Sequence, residues 1–213
     1  MPSEFTLYLT RHGETFWNSD GKIQTWSNGP GNNLTGKGKS QADQKGKILQ
    51  DCQIKAIYHS DLNRARDTAR IINSRIKVHN VYETSRLRDG NLTFFDGLTT
   101  EEIKRHFAEA YTKRSRDKFN FRLPAANGFH RSENIADIRA RVKPILRHIL
   151  HSRNNTLIVG HRSVNRAIIY HLCKGTRFEF SKKAIAELNI STSEIFKFRY
   201  CDRKLVAVEK LIN

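Results

Sequence analysis

Short apolar runs of strand length alternate along this chain with segments in which apolar residues recur at helical spacing. The runs rich in β-branched and aromatic residues predict strands over 5–10, 54–60, 76–82, 156–161, 190–200 and 205–211. The periodic segments predict helices over 35–51, from 60 onward, over 132–149 and over 162–174. A strand, a helix and a further strand in succession form a parallel βαβ unit. The pattern therefore predicts an α/β fold, with a doubly wound, mostly parallel central sheet flanked by helices.

Polar residues and glycines mark the predicted boundaries. Thr35 and Ser132 precede periodic segments and are predicted N-caps, and Gly175 is predicted to follow the end of a helix. Residues 17–33 are rich in Gly, Asn and Ser and include Pro30. This composition is typical of a mobile loop, which would lie over the mouth of a site at the sheet edge.

The length and composition favour one domain over 1–213, since 213 residues are ordinary for a single α/β domain. The N-terminus lacks the basic region of a signal peptide, and no apolar run reaches the length of a membrane span. We therefore expect a soluble, cytoplasmic protein. Cys52, Cys173 and Cys201 are odd in number and show no CxxC or Cys/His spacing, so we expect reduced thiols, mostly buried, and no zinc site.

The charge is the strongest global feature of the chain, with 38 Lys and Arg against 21 Asp and Glu, a net charge of +17 and a pI near 10.1. Such an excess attracts anionic substrates and polyanions. It has three interpretations: cations lining a phosphate pocket, a solvated surface, or a patch for nucleic acid or an anionic membrane. Because the cations are spread through the sequence, scattered surface is favoured over a patch.

Candidate chemistry stands where two predicted strands end. Arg11, His12 and Gly13 follow the first strand, and His161 ends the strand over 156–161. Ligands of open α/β sheets gather at the carboxyl ends of the strands. An imidazole beside a permanent cation stays neutral near pH 7 and can attack phosphorus while the arginine holds phosphate oxygens. Gly13 would let the backbone approach the ligand closely.

The neighbouring residues give this strand end its specificity. Thr10-Arg11-His12-Gly13-Glu14-Thr15, followed by Trp17-Asn18, Gly21-Lys22-Ile23-Gln24, Asn33-Leu34-Thr35 and Gly38-Lys39-Ser40-Gln41-Ala42, resembles the opening of the histidine phosphatase (phosphoglycerate mutase-like) superfamily. The resemblance continues through Ser60 to Ala69 and through Glu133, Asp137 and Arg141. It implies that His12 becomes phosphohistidine and that other residues hold the phosphoryl group or substrate: Arg11, Asn18, Arg64, His161, Gly13 and Gln24.

The next block of the resemblance contains a departure. The family places a glutamate there to protonate the leaving group, and this chain has Asp89. Aspartic acid can do the same chemistry, but its side chain is one methylene shorter, so its reach is in question. The glycine that usually follows is Thr93. Asp89 is the predicted general acid.

Residues 98–130 are expected to form a helical insertion lobe over the site. The segment around Arg114 and Lys118 is similar to the fructose-2,6-bisphosphatase branch, which implies that both cations grip a second phosphate. Their i, i+4 spacing would place them on one helical face, although a basic surface turn is an alternative. Arg166 matches a further substrate arginine of that branch, and Arg162 stands where the branch has Gln. The branch's tyrosines are replaced by Thr100 and Ile135.

We therefore expect a metal-independent phosphomonoesterase without a cofactor, acting on a small phosphorylated metabolite such as a sugar bisphosphate or phosphoglycerate. Two alternatives stay open: a phosphoglycerate-type mutase, and a weakly active phosphatase-fold protein that binds a polyanion. Mutases of the family are typically longer and carry a Tyr-Gly block where this chain has Phe94-Phe95-Asp96-Gly97. Nucleic acid or an anionic surface is a possible but not favoured partner, and the oligomeric state is left open.

Overall fold

The computed structural model describes residues 4–124 and 132–211. Its strands are β1 (Glu4–Arg11), β2 (Ala56–His59), β3 (Asn80–Glu83), β4 (Thr156–Gly160), β5 (Ile195–Cys201) and β6 (Lys204–Lys210). Its α-helices are α1 (Phe16–Ser19), α2 (Gly36–Leu49), α3 (Asn63–Ile76), α4 (Thr100–His106), α5 (Ala108–Arg116), α6 (Ile135–Ser152), α7 (Arg162–Cys173) and α8 (Lys182–Glu187). Short 3₁₀ turns lie at Pro30–Asn32, Ser85–Leu87 and Thr93–Phe95.

The strands form one mixed sheet in the order β3-β2-β4-β1-β5-β6. β3, β2, β4 and β1 run parallel, and β5 and β6 add an antiparallel edge beside β1. The predicted α/β class, with helices flanking the sheet, is confirmed. The two-residue turn between β5 and β6 is too short for a crossover helix, so these two strands pair in antiparallel orientation.

Side chains of β1 alternate between two cores, one on each face of the sheet. Leu7 and Leu9 pack with α6 and α7, while Tyr8 packs with α2 and α3. This alternation is the period-2 pattern of a strand that is covered on both sides. The sheet therefore lies between two helical layers, and its strand ends are free to form a site.

Two predicted boundaries were wrong. The strand predicted over 76–82 begins later, at Asn80 of β3. Ile76 is still helical, and Lys77 ends α3 in the left-handed conformation at φ 55°. The N-cap of α6 is Asn134, which forms a capping box with Asp137, whereas the Ser132 hydroxyl donates to the Leu123 carbonyl. Thr35 does cap α2, accepting from the Gly38 N–H.

The C-terminal part differs from the prediction in one element. The strand predicted over 190–200 begins only at Ile195, and the short helix α8 precedes it. Gly175 follows α7 at φ +73°, a left-handed conformation that suits glycine. The buried apolar residues before β5 therefore lie on α8, as Ile185 does, or in the loop that follows it, as Ile190 does.

The segment predicted as an insertion lobe contains two short helices, α4 and α5, and its residues 125–130 lie outside the described residues. A third core cluster holds this segment in place through Leu92, Phe95, Ile103 and Leu123. α5 ends at Arg116, so Lys118 lies in the turn that follows. The expected helical face shared by Arg114 and Lys118 does not form.

The thiols Cys52, Cys173 and Cys201 are all free; Cys173 is buried and the other two are partly buried. Among the described helices, none is long and apolar enough to cross a membrane.

Candidate active site

The carboxyl ends of β1 and β4 bring two histidines together. Arg11 of β1 is in register with Gly160 of β4, so the residues that follow, His12 and His161, are neighbours. Their ring centroids are 5.1 Å apart, and both side chains are buried. The parallel register thus assembles the pair that the two strand ends predicted.

His12 is held in one tautomer by the backbone carbonyl of the next residue, Gly13. Its Nδ1 lies 2.7 Å from the carbonyl oxygen of Gly13. Because a carbonyl only accepts, Nδ1 carries the hydrogen and Nε2 keeps its lone pair. Burial, and then the charge of Arg11, holds the pKa of His12 well below its ordinary value. His12 is therefore a neutral imidazole with a free nucleophilic nitrogen.

His161 takes the opposite tautomer. Arg64 Nε donates to its Nδ1 at 3.2 Å, so Nε2 carries the hydrogen. Nε2 is buried without a hydrogen-bond partner among the described residues. Burial and then the charge of Arg64 hold the pKa of His161 well below its ordinary value. His161 therefore offers a neutral N–H donor. A buried donor without an acceptor destabilises the folded protein, and a ligand that accepts from Nε2 would remove this cost.

Arg64 connects this pair to the loop over 17–33. Its guanidinium donates to the carbonyl of Thr25 at 2.7 Å, the carbonyl of Ser27 at 3.2 Å and Asn32 Oδ1 at 3.2 Å. Burial lowers the pKa of Arg64 to about 10. Arg64 fixes the loop and the His161 tautomer, and it stands behind the residues that line the cavity described below.

Arg11 reaches the site from the last position of β1. One terminal nitrogen donates to the Ile190 carbonyl at 3.3 Å, and its Nε is buried without a partner among the described residues. Burial, then the charge of Arg162, lowers the pKa of Arg11 to about 9. Arg11 thus presents a second unpaired donor beside His12.

Lys45, which the sequence analysis missed, lies beneath Arg11. It is fully buried, and its Nζ donates to the Arg11 carbonyl at 2.7 Å. Burial, then the charge of Arg11, lowers the pKa of Lys45 to about 7. The signal was present in the sequence, because Lys45 shares the apolar face of α2 with Ala42 and Leu49.

The Asp89 side chain contacts the first turn of α7 and lines the cavity described below. Its Oδ1 accepts from the N–H of Gly90 at 2.9 Å and from that of Ser163 at 3.0 Å. Its Oδ2 has no hydrogen-bond partner recorded in the described part of the chain. The carboxyl group is therefore fixed through one oxygen in the wall of the cavity, and the role of Asp89 as general acid stays a prediction.

The backbone of Asp89 is clamped from two sides. Trp26 Nε1, another contact that the sequence did not indicate, donates to the Asp89 carbonyl at 2.8 Å. Arg141 of α6 donates to the same carbonyl at 3.3 Å and pairs with Glu133 through bonds of 2.7 and 2.8 Å. Glu133 and Arg141 therefore anchor the segment that carries Asp89.

These groups open into one cavity of about 370 Å³. The cations in its lining are Arg11, Lys22, Arg114, Lys118, Arg162 and Arg166, and its one acidic residue is Asp89. Asn18 and Gln24 also line it. The structure thus brings together all but three of the predicted site residues in the wall of one cavity; Arg64, His161 and Gly13 are not part of its lining.

Burial makes the charged form of several of these cations less favourable. It lowers the pKa of Arg114 and of Arg166 to about 10, and it lowers that of Lys118, with Arg166 as the next cause. Arg166 Nε donates to the Leu188 carbonyl at 2.8 Å, and Arg114 has a buried terminal nitrogen without a partner among the described residues. The cavity therefore concentrates positive charge that a bound anion would stabilise.

Gly13, like Arg64 and His161, is not among the residues of the cavity lining, and its N–H donates to Thr68 Oγ1 at 3.0 Å. The close approach of its backbone to a ligand stays a prediction. A Cβ at this position would lie 2.3 Å from the carbonyl oxygen of Gly38. Gly13 is therefore required by the packing of the strand end against α2.

Comparison with known proteins agrees with this geometry. The family model of the histidine phosphatase superfamily (branch 1) matches residues 7–209. The chain belongs to the histidine phosphatase superfamily. Other members of this superfamily include a 2,3-bisphosphoglycerate-dependent phosphoglycerate mutase from Bartonella henselae, 33% identical over 178 residues, with 79% of this chain and 82% of the mutase covered.

A second relative by sequence is the 6-phosphofructo-2-kinase/fructose-2,6-bisphosphatase from Aquarana catesbeiana, which is 28% identical over 177 residues, or 82% of this chain. The chain spans about a third of the length of several curated relatives that it matches, this one included. The solved structure of a mycobacterial glucosyl-3-phosphoglycerate phosphatase in complex with VO3 shares the fold. It has a TM-score of 0.79 at 22% identity, with 98% of each chain covered.

Proposed function

We propose that this chain is a metal-independent phosphomonoesterase that works through a phosphohistidine at His12. The lone pair of His12 Nε2 attacks phosphorus, the bond from phosphorus to the ester oxygen breaks, and the alcohol leaves with a proton. Water then attacks the phosphorus of phosphohistidine and releases inorganic phosphate, which restores the imidazole. The observation that carries the proposal is the pair of opposite tautomers, a free lone pair on His12 beside a free N–H on His161.

The unpaired donors of the site supply the stabilisation that the transferring group needs. Arg11 Nε and His161 Nε2 are buried donors without partners among the described residues, and donors of this kind hold phosphoryl oxygens without reorganising during the reaction. Asn18 joins them from α1, and Arg64 keeps His161 in its donor tautomer. Cationic side chains thereby neutralise charge at the phosphoryl group, which is the task that a metal performs in other phosphatases.

Asp89 is the proton donor in this scheme. Its anchored Oδ1 leaves Oδ2 to carry and release the proton that the leaving alkoxide takes up. In the second half of the cycle the same oxygen accepts a proton from the attacking water. The clamp by Trp26 and Arg141 on its carbonyl keeps this oxygen at the cavity.

The cations of the cavity favour a substrate with a second anionic group. Arg114, Lys118, Arg162 and Arg166 lie in the lining together with Lys22, beyond what one phosphoryl group requires. A sugar bisphosphate or a phosphoglycerate-like molecule fits this charge. Each charge-assisted hydrogen bond is worth about 1.5 to 3 kcal/mol, so their loss should be visible in the Michaelis constant.

The test compares two buried strand-end histidines. His12→Gln should abolish turnover and the labelling of the protein by substrate phosphate after a quench in base, where phosphohistidine survives. His59→Gln is the matched control, because His59 also ends a parallel strand and also contacts a carbonyl through Nδ1, at 2.9 Å, but lies outside the cavity lining. Turnover by His12→Gln at the wild-type rate would refute the proposal, as would a loss of wild-type turnover on chelation that magnesium restores.

A phosphoglycerate-type mutase is the second candidate, favoured by the relative from Bartonella henselae. A mutase passes the phosphoryl group from His12 back to a bound phosphoglycerate instead of to water. Incubation with 3-phosphoglycerate and a trace of 2,3-bisphosphoglycerate, followed by phosphorus NMR, separates the two. Accumulation of inorganic phosphate supports the phosphatase, and formation of 2-phosphoglycerate without phosphate release supports the mutase.

A further inference from the structure

The outer surface of α6 and the end of α7 carry positive charge that the catalytic site does not use. Arg139, Lys143 and Arg147 follow one another at i, i+4 spacing on α6, and Lys174 is the C-cap residue of α7. We call these four residues the basic stripe. Residues four apart lie on one side of a helix and about 6 Å apart along its axis, so the three cations of α6 span about 12 Å.

One ring contact and one shared electrostatic effect place these cations near one another on α6 and α7. The Arg139 guanidinium lies 5.5 Å from the ring centroid of Tyr170 on α7. The next residue on α7, His171, has its pKa lowered by burial and then by the charges of the four stripe residues. Lys143, Arg147 and Lys174 are exposed. The stripe is therefore one continuous patch across two packed helices.

The charge of the stripe is not neutralised by the described part of the protein. None of its four residues forms an ion pair with a described carboxylate, whereas Lys47, Arg66 and Lys113 each do so on other helices. In the sequence, Asp137 is the one acidic residue between Ile135 and Arg177, and it pairs with Arg122. Mutual repulsion within such a patch is relieved when an external anion binds.

The stripe is separate from the catalytic cavity. α7 contributes Arg162, Ser163 and Arg166 to the cavity lining, and Lys174 of the stripe follows eight residues after the last of these. Eight residues of helix separate Arg166 from Lys174 by about 12 Å along the axis. A ligand on the stripe therefore leaves the cavity open.

We propose that the basic stripe binds the phosphate backbone of nucleic acid. Each strand of a duplex carries a phosphate about every 3.4 Å along the axis, so the stripe faces several phosphates at once. Helices that bind membranes place large apolar residues beside their cations. The exposed large hydrophobics of the described residues, Phe16, Val81, Tyr82 and Val206, all lie on other elements. The stripe thus offers charge without an apolar anchor, which suits a phosphate backbone and not a bilayer.

The experiment compares two triple variants with the same net charge. Lys143→Gln/Arg147→Gln/Lys174→Gln removes three stripe cations, and Lys47→Gln/Arg66→Gln/Lys113→Gln removes three paired cations of the same residue types elsewhere. Binding of a fluorescein-labelled DNA duplex of about 20 base pairs is measured by anisotropy between about 50 and 200 mM salt. Each lost phosphate contact lowers the slope of log K against log salt by about 0.9, so the stripe variant should lose about 2.7.

The control variant should keep the wild-type slope, and so should His12→Gln, because the cavity does not contribute to this binding. Lys143→Arg/Lys174→Arg, which retains the charge, should bind as the wild type does. Equal losses in both triple variants would show that diffuse charge, and not the stripe, holds the duplex. Absence of duplex binding by the wild type, or binding through the stripe to phosphatidylserine vesicles alone, would also overturn the proposal.

Discussion

Replacement of Lys45 by methionine should change how the stability of the protein depends on pH. In the folded chain, burial and the charge of Arg11 lower the pKa of Lys45 from 10.5 to about 7. Between these two values the unfolded chain holds a proton that the folded chain has released, so the stability of the wild type rises with pH. Because the pKa of Lys45 is lowered on folding, the stability of the folded protein falls as the pH falls from 10.5 toward 7. The loss is complete once the pH is below 7.

The size of the effect follows from the two pKa values. The whole shift corresponds to about 5 kcal/mol, of which about 2 kcal/mol falls between about pH 7 and pH 9. Lys45→Met removes this contribution, while it also leaves the Arg11 carbonyl without its donor at a cost of about 1 to 3 kcal/mol at every pH. The difference in slope between wild type and variant therefore isolates the titration, whatever the change in absolute stability.

Urea unfolding at several pH values measures that slope. Lys47→Met is the matched control, because Lys47 lies on the same helix, is exposed and pairs with Asp43. Its stability profile should run parallel to that of the wild type, whereas the profile of Lys45→Met should rise by about 2 kcal/mol less over the same range. Parallel profiles for all three proteins would mean that Lys45 stays charged in the folded state and that the reasoning from its burial is wrong.

Three further predictions concern the site. Asp89→Asn should slow the hydrolysis of alkyl phosphates by about 10²- to 10⁴-fold and that of aryl phosphates far less, since a good leaving group needs little protonation; equal small losses on both would assign the proton to another group. Lys118→Ala should raise the Michaelis constant for a sugar bisphosphate about tenfold or more, measured by steady-state kinetics, and leave that for an aryl phosphate unchanged. The control Lys113→Ala, at an exposed position paired within α5, should change neither constant. Gly13→Ala should lower the thermal unfolding temperature strongly, because its Cβ would lie 2.3 Å from a backbone oxygen, whereas Gly29→Ala, with no atom within 4 Å, should not; equal melting temperatures would contradict the packing argument.

The parts of the fold that the sequence predicted are those that depend on local pattern. β1 and β4 are apolar runs whose polar ends, Arg11-His12 and His161, become neighbours through the parallel register alone. The sequence misplaced the end of α3, because a non-glycine residue, Lys77, takes the left-handed conformation that stops the helix. A search for glycine as the residue that ends a helix does not find the end of α3, because lysine occupies that position.

The support of the site was hidden because it comes from contacts distant in sequence. Trp26 reaches the Asp89 carbonyl, and Lys45 reaches the Arg11 carbonyl, across more than thirty residues in each case. Nothing in the local pattern around either donor names its acceptor. Arg114 and Lys118 show the reverse case, since the cavity brings them together although the helical spacing that suggested their pairing does not form.

The position of β1 in the sheet has a consequence for how the protein is made. β1 precedes the other strands of this sheet in the chain, yet its two partners, β4 and β5, come much later in the sequence. Until those strands are synthesised, both edges of β1 lack hydrogen-bond partners, and exposed apolar strand edges invite aggregation. The Arg11-His12-Gly13 turn therefore has no histidine partner during most of translation. His12 gains His161 as its neighbour only when β1 pairs with β4, a long-range closure that slows the search for the native state.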